Sequence, residues 1–350
     1  MTGRSGLRLT VGAGLARLGA PVFALAALAL MALPLFVDRG VLQSLFEVLT
    51  LLTLAQYWNL MAGYAGLVSV GQQAFVGLGG YLMFGLAVDF QVDPLLAIPL
   101  AGAAAALVAA VVSKLVFRLE GAYFAVGTWV VAEAFRLVAA EIPSLGGGTG
   151  ASLTRDVVNG SVAVSIVERA LGLRAAAARD VATYWLALAL ALASIAAIYG
   201  LLRSRSGLAL SALRDDEAAA RALGVSPTRL KLAVYLIAAQ GAGMTGALVY
   251  WQKARISPDA AFSLLDWTAN VLFTVIIGGV ATIEGPIVGV AIFYALEQAF
   301  SAYGPLYLAA LGGLAIAVIT FFRRGLWGAL SERFNASLFP IRRRLTGDGA

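Results

Sequence analysis

The sequence predicts an all-α, polytopic membrane protein of about ten transmembrane helices with discontinuous glycine-rich segments. Three observations predict it. Hydrophobic residues make up 61% of the 350 and charged residues only 13%, against roughly 45 to 50% and 25% in a soluble domain, and the mean hydropathy is +0.88. The apolar residues are gathered into runs close to the roughly 20 that a helix needs to cross a bilayer. The basic residues segregate between alternate connections, which is how positive charge orients a multi-pass chain.

The runs place spans near residues 20–37, 41–62, 67–88, 94–116, 121–140, 181–202, 230–250, 266–282, 286–302 and 305–322. The amino-terminal segment, residues 1–19, carries Arg4, Arg8 and Arg17, and no acid precedes Asp38. With that segment in the cytoplasm, 17 of the 25 Lys and Arg residues fall inside, seven fall in outer connections and Arg136 lies within a span. Both termini are then cytoplasmic. A cleaved signal peptide competes for the first span, APVFALAALALMALPLFV, but its apolar run exceeds the usual 7 to 15 residue signal core and ends at Asp38-Arg39 without a small-x-small site. A retained anchor is expected.

Besides the amino-terminal segment, three segments of the chain lie outside the spans and their short connections. The outer segment 141–180 holds SLGGGTGAS and then VAVSIVERALGLRAAAA, expected as a helix on the membrane surface. An inner segment covers residues 203–231. The tail, 323–350, brings interfacial Trp327 and Arg342, Arg343 and Arg344, expected as a membrane-surface anchor. Residues 20–322 thus form the transmembrane domain.

Cysteine and histidine are both absent. That removes disulfides, thiolate and imidazole metal sites and every scheme with a histidine base. No metal or other cofactor is expected. The net charge of +6 fits the orientation signal more simply than a nucleic-acid partner.

NLMAGYAGLVSVGQQAFVGLGGYL, Asn59 to Leu82, carries six glycines and two adjacent glutamines in an apolar run. Glycine destabilises a helix by roughly 1 kcal/mol relative to alanine, and an unpartnered glutamine is costly in lipid. Broken helix at membrane depth is tolerated only inside protein or along a wet cavity. Gly63, Gly66 and Gly71 permit such a break, while Asn59, Ser69, Gln72 and Gln73 offer neutral hydrogen-bonding groups, a combination suited to a translocation path. Plain close packing of helices remains the competing account of the glycines. A second break runs from Gly278-Gly279 through Gly285-Pro286. Broken helices turn their end dipoles toward the charged groups of a zwitterion without a fixed charged side chain.

Glu47, Glu133 and Glu297 fall within spans, where an ionisable group is a functional candidate. Glu133 has Arg136 at i+3, and Glu297 sits beside Gln298 in the outer half of its span, so structural roles are expected for both. Glu47 has no such account. Tyr123, Thr128 and Trp129 are candidates for the path or for packing.

The inner segment reads RSRSGLALSALRDDEAAARALGVSPTRLKL. Helix formers from Gly207 to Leu223 predict one helix, Gly224 ends it, and Ser226-Pro227 starts the next as N-cap and N1. Such a helix is a lever for a soluble partner or an ordinary connection with solvated charges. EAAARALGV resembles the EAA-type coupling motif of ABC importer permeases, in which small residues and a following glycine seat the loop helix in a groove of the ATPase subunit. Glu217-Ala218-Ala219 and Gly224 are one residue further apart than the commonest spacing, as is usual in the branched-chain amino acid branch, and RDDEAAARALGVSPTRLKL, with Asp216 before Glu217, looks very like that branch's version. NLMAGYAGLVSVGQQAFVGLGGYL, EGAYFAVGTWVVAEAFRLV and ISPDAAFSLLDWTANVLFTVIIGGVATIEGPIVGVAIF are similar to further segments of that branch, in the same order. The resemblance, from about residue 45 to 330, is to the M-type (LivM-like) permease subunits of branched-chain or hydrophobic amino acid ABC importers. Many relatives have Gly-His-Ala-Ala-Phe where this chain has Gly71-Gln72-Gln73-Ala74-Phe75, so no role of that histidine transfers.

The resemblance implies a second homologous permease, two ATP-binding subunits on the cytoplasmic face, an extracytoplasmic substrate-binding protein and a bacterial-type inner membrane. The chain contains no GxxxxGK[ST], so ATP hydrolysis falls to the partners and no enzyme activity is expected here. Within the superfamily, urea, short amides, aromatic acids or sugars are alternative substrates. A stand-alone secondary transporter would be expected to show intramembrane ionisable relays, of which there are few, and a membrane-embedded enzyme would need an acid, base and nucleophile constellation that the spans lack.

Overall fold

The computed structural model describes residues 8–11, 16–300, 304–322, 325–334, 339 and 343–346. Helices dominate, as they must where no water is available to satisfy backbone N–H and C=O groups. A strand, Arg8–Val11 (β1), precedes Ala16–Ala32 (α1), and Arg39–Asn59 (α2) runs straight into a π-helical turn at Leu60–Tyr64. Gln72–Val88 (α3), Pro94–Val116 (α4) and Ala122–Ala140 (α5) follow. Next come Ala151–Ser152 (β2), Arg155–Asn159 (α6) and Val162–Leu171 (α7). Ala175–Arg203 (α8), Arg205–Asp215 (α9), Glu217–Ala222 (α10) and Pro227–Lys253 (α11) are followed by Arg255–Ile256 (β3) and Pro258–Ala261 (α12). A second π-helical turn, Leu265–Ala269, leads into Asn270–Gly278 (α13), and the chain continues with Glu284–Phe300 (α14), Pro305–Phe321 (α15), Gly325–Phe334 (α16) and Arg343–Thr346 (β4). β1 pairs antiparallel with β4, and β2 with β3.

Each expected span overlaps a helix. Among the described residues, five helical stretches are individually long and apolar enough to cross a bilayer: 94–116, 122–140, 175–203, 227–253 and 258–278. The apolar part of α11 is 67% buried against 22% for α5, so α11 is the central post and α5 lies at the periphery. Small residues let its neighbours approach: Gly243 meets the backbone of α3 at Gly79, and Gly246 meets it at Val76. In a bilayer such small-residue seams replace the hydrophobic drive that water would supply.

The two ends of the bundle are polar. At one end Arg39 Nε donates to Asp180 Oδ2 at 2.7 Å, Ser161 Oγ donates to Asp93 Oδ1 at 3.0 Å, and Arg136 donates both to Glu133 and to Asp259. The other end carries α9, α10, the Leu60–Tyr64 turn and α16.

Local chemistry corrects two boundaries. The helix expected over Gly207 to Leu223 is two helices, because Asp216 adopts an extended conformation (φ −157°, ψ 109°) and caps the second with its own carboxylate. The outer surface helix stops at Leu171, where Gly172 turns left-handed, and the alanines after it open α8. In the tail, α16 packs on α13 and α14, with Gly325 against the backbone of Gly279. Arg4, Arg323 and Arg342 lie outside the described residues.

Candidate functional site

α10 has only six residues, too few to hold a helix unaided. Asp216 Oδ1 accepts the backbone N–H of Ala218 at 2.9 Å and of Ala219 at 3.0 Å. Glu217 ties α10 to α11 through Lys231 Nζ (2.8 Å) and closes an i,i+4 pair with Arg221 (2.8 Å). The Lys231 hydrogen bond first, then that of Arg221, holds the Glu217 carboxyl below the usual carboxylate range. Gly224 (φ +86°) ends the helix in the left-handed conformation that glycine alone adopts freely. The result is a short helix with Ala220 buried and Ala218, Ala219, Leu223 and Gly224 exposed. A flat face of small residues beside one exposed leucine suits insertion into a partner's groove.

The glycine-rich stretch is a broken helix. Gly66 takes φ +70°, residues 66–71 leave the helical path, and α3 starts only at Gln72. The freed backbone groups find partners: Trp58 Nε1 donates to Ser69 O (2.8 Å), Gly71 N–H to Ser69 Oγ (3.1 Å) and Val70 N–H to Thr128 Oγ1 (3.1 Å). A Cβ on Gly71 would overlap the Thr128 carbonyl. Gln72 Nε2 donates to Leu54 O at 2.9 Å, and the Thr268 hydroxyl donates to Gln73 Oε1, joining the start of α3 to the second π-turn. Both glutamines are buried, and Gln72 Oε1 has no partner among the described residues.

The two breaks are stitched together. Asn59 Nδ2 donates to Thr282 O (2.7 Å) and Asn59 Oδ1 accepts from Ala281 N–H (2.8 Å), while a Cβ on Gly63 would lie 2.7 Å from Ala281 N. Gln56 Nε2 donates to Ile283 O at 2.8 Å, and its buried Oε1 has no partner among the described residues. In the second break Gly278 and Gly285 meet backbone to backbone, Gly279 takes φ +132°, and Pro286 is buried in the first turn of α14, where its missing N–H costs nothing. Buried Glu284 accepts the N–H of Phe339 at 2.8 Å. Arg214, on α9 two residues before Asp216, reaches the first break through Gly63 O at 3.5 Å.

Several of these residues carried no advance signal. Gln56 sits in a regular helix, Arg214 read as a solvated charge, and Thr268 and Ile283 acquire roles only by meeting residues some 200 positions away. Thr128 joins the first break, whereas Tyr123 and Trp129 face outward. Glu133 has the expected Arg136 partner. Glu47 and Glu297 meet along a cavity of about 360 Å³ at the end of the bundle opposite α10. None of the path residues expected from the sequence lines that cavity.

A family model described as "Branched-chain amino acid transport system / permease component" matches residues 40–322, spanning both breaks and the α9–α10 segment. The chain belongs to this permease family. It is 27% identical over 309 residues to the high-affinity branched-chain amino acid transport system permease protein LivM of Salmonella typhimurium, covering 85% of this chain and 72% of that protein. The LivM of Escherichia coli K12 is 28% identical over 309 residues with the same coverage. No solved structure matches. Membership makes the chain a multi-pass membrane transport subunit of the LivM-like kind, and bears out the family resemblance and the all-α permease class read from the sequence.

Proposed function

We propose that the chain is one of two homologous permease subunits of an ATP-driven importer for branched-chain or other hydrophobic amino acids in a bacterial inner membrane. Two ATP-binding subunits dock on the cytoplasmic face and an extracytoplasmic binding protein delivers substrate. Residues 1–19 and 323–350 are cytoplasmic, 20–322 form the permease domain, and 203–231 form the coupling segment. Asp216, Glu217, Ala218, Ala219 and Gly224 make α10 the ATPase contact.

The observation that carries this reading is the unbroken run from α10 to the broken helices. Arg214 joins α9 to Gly63, and Asn59 and Gln56 join α2 to residues 281–283. A displacement of α10 by the closing ATPases therefore acts directly on both breaks. Asn59, Gly63, Gly66, Ser69, Gly71, Gln72 and Gln73 with Gly278, Gly279, Gly285 and Pro286 form the moving wall of the path, closed against itself in this conformation. Support comes from the unpartnered Gln56 Oε1 and Gln72 Oε1, acceptors buried inside the seam. A native buried acceptor left unpaired costs roughly 1 to 3 kcal/mol, which an ammonium group passing through an opened seam would relieve.

The test is purification of the tagged chain from native membranes, with ligand screening of the cognate binding protein. A second permease and ATP-binding subunits should co-purify, and the binding protein should take branched-chain amino acids. A chain that purifies alone and catalyses counterflow by itself is a secondary transporter. A binding protein that takes urea, amides, aromatic acids or sugars overturns the substrate assignment.

A further inference from the structure

The cavity at the end opposite α10 lies between α2, the end of α11, the second π-turn and α14. Its volume of about 360 Å³ falls in the roughly 300 to 1,000 Å³ range of small-molecule sites. Four formal charges stand on its wall: Glu47, Asp266, Glu297 and Lys253. Among the described residues none of the four forms an ion pair. Glu47, Asp266 and Lys253 are exposed and Glu297 is half-buried, so water or a solute reaches all four, and ionisable residues on a wet cavity of a membrane bundle mark substrate pathways.

The Lys253 ammonium lies 5.2 Å from the centre of the Trp267 ring and 5.9 Å from that of Tyr250. Ring faces hold a cation without neutralising it, so its N–H groups remain for an anion. Glu47 and Glu297 stand on α2 and α14, and the buried Asn270 Oδ1, which also lines the cavity, has no partner among the described residues. With Asp266 of the second π-turn, these are acceptors for an ammonium group. Phe46, Leu54, Val290 and Phe293 supply apolar wall.

We propose that this cavity binds a zwitterionic α-amino acid with an aliphatic side chain, its carboxylate on Lys253 and its ammonium between Glu47 and Glu297. With three carboxylates to one ammonium, the cavity repels the deaminated acid, a monoanion of almost the same shape. The proposal rests on the importer reading above, and it adds a selectivity that this chain itself imposes.

The chain has no cysteine, so Gln43→Cys gives a unique thiol on the cavity wall. Its reaction with a membrane-impermeant maleimide is followed in the intact transporter in membranes, without binding protein, against millimolar L-leucine or 4-methyl-2-oxopentanoate. At about ten times its Kd, L-leucine should slow labelling about tenfold by mass action, and the oxo acid should not. Adding Glu297→Gln or Lys253→Met should remove the protection at unchanged membrane abundance, with Glu47→Gln as a second carboxylate variant at an exposed position. No protection by L-leucine, or equal protection by the oxo acid, overturns the site. If ATP-driven uptake of L-leucine persists without protection, the site fails and the importer reading stands. Protection without ATP-driven uptake leaves the site and removes the importer.

Discussion

Replacing Asp216 by alanine tests the proposed coupling role of α10 separately from everything else in the chain. The substitution deletes an exposed side chain whose two hydrogen bonds, 2.9 and 3.0 Å, satisfy the first free N–H groups of α10. Loss of such a cap costs about 1 kcal/mol, within a range of about 0.5 to 2. In a long helix that cost is absorbed by the remaining turns. α10 has six residues, held otherwise by the Glu217 contacts and by buried Ala220. About 1 kcal/mol then lowers the ratio of formed to unformed coupling helix about five-fold. The assay is substrate-stimulated ATPase activity of the assembled transporter in proteoliposomes, which should fall, by at most that factor because the formed fraction changes less than the ratio, while membrane abundance is unchanged. Asp216→Asn retains an acceptor oxygen at the same place and should keep most of the stimulation. Full stimulation in Asp216→Ala would refute the reasoning, and an equal loss in Asp216→Asn would show that charge, not the cap, is what the partner requires.

Further outcomes follow from the breaks, the orientation and the Glu217 tether. The pair Gln72→Ala and Gln73→Ala should assemble yet lower uptake about five-fold or more, since each unpaired buried group is worth roughly 1 to 3 kcal/mol, whereas Gly71→Leu, driven into the Thr128 carbonyl, should lower abundance as well; unchanged uptake in the double variant would reject the path role. Single cysteines at exposed Ser144 and Ala260 should label from outside intact cells and one at exposed Ser204 only after permeabilisation, so external labelling of Ser204 would reverse the proposed orientation. The folded Glu217 carboxyl titrates below its ordinary value, so its tether to α11 is fully present above the unfolded pKa of roughly 4.3 and is lost as pH falls through the lower folded value. A spin label at Leu223→Cys should stay ordered on acidification to about pH 5 and gain mobility only below the ordinary carboxylate value; a transition above that value, or one unchanged by Glu217→Gln, would contradict that assignment.

Some of this was legible in the sequence for definite reasons. Apolar run length is a one-dimensional quantity set by the bilayer, so each expected span overlaps a helix. The first break was visible as composition, because Gly66 and Gly71 stand where helix propensity fails and close approach needs no side chain. The split at Asp216 was not visible, since periodicity counts apolar positions while a cap depends on one side chain bending back to Ala218 and Ala219. The seam of Asn59 with Ala281 and Thr282 and the meeting of Glu47 with Glu297 join residues more than 200 positions apart. No local pattern encodes such a pairing. Arg214 shows the same limit, because an arginine beside an exposed loop has the same local signature whether its head is solvated or rests on Gly63.

The most direct measurement is accumulation of radiolabelled L-leucine in proteoliposomes holding the transporter purified through this chain, with its binding protein supplied on the substrate side. Accumulation that requires ATP and the binding protein, and that collapses in Asp216→Ala, is the predicted result. ATP-independent uptake by this chain alone, or ATP-driven uptake indifferent to α10, would contradict it.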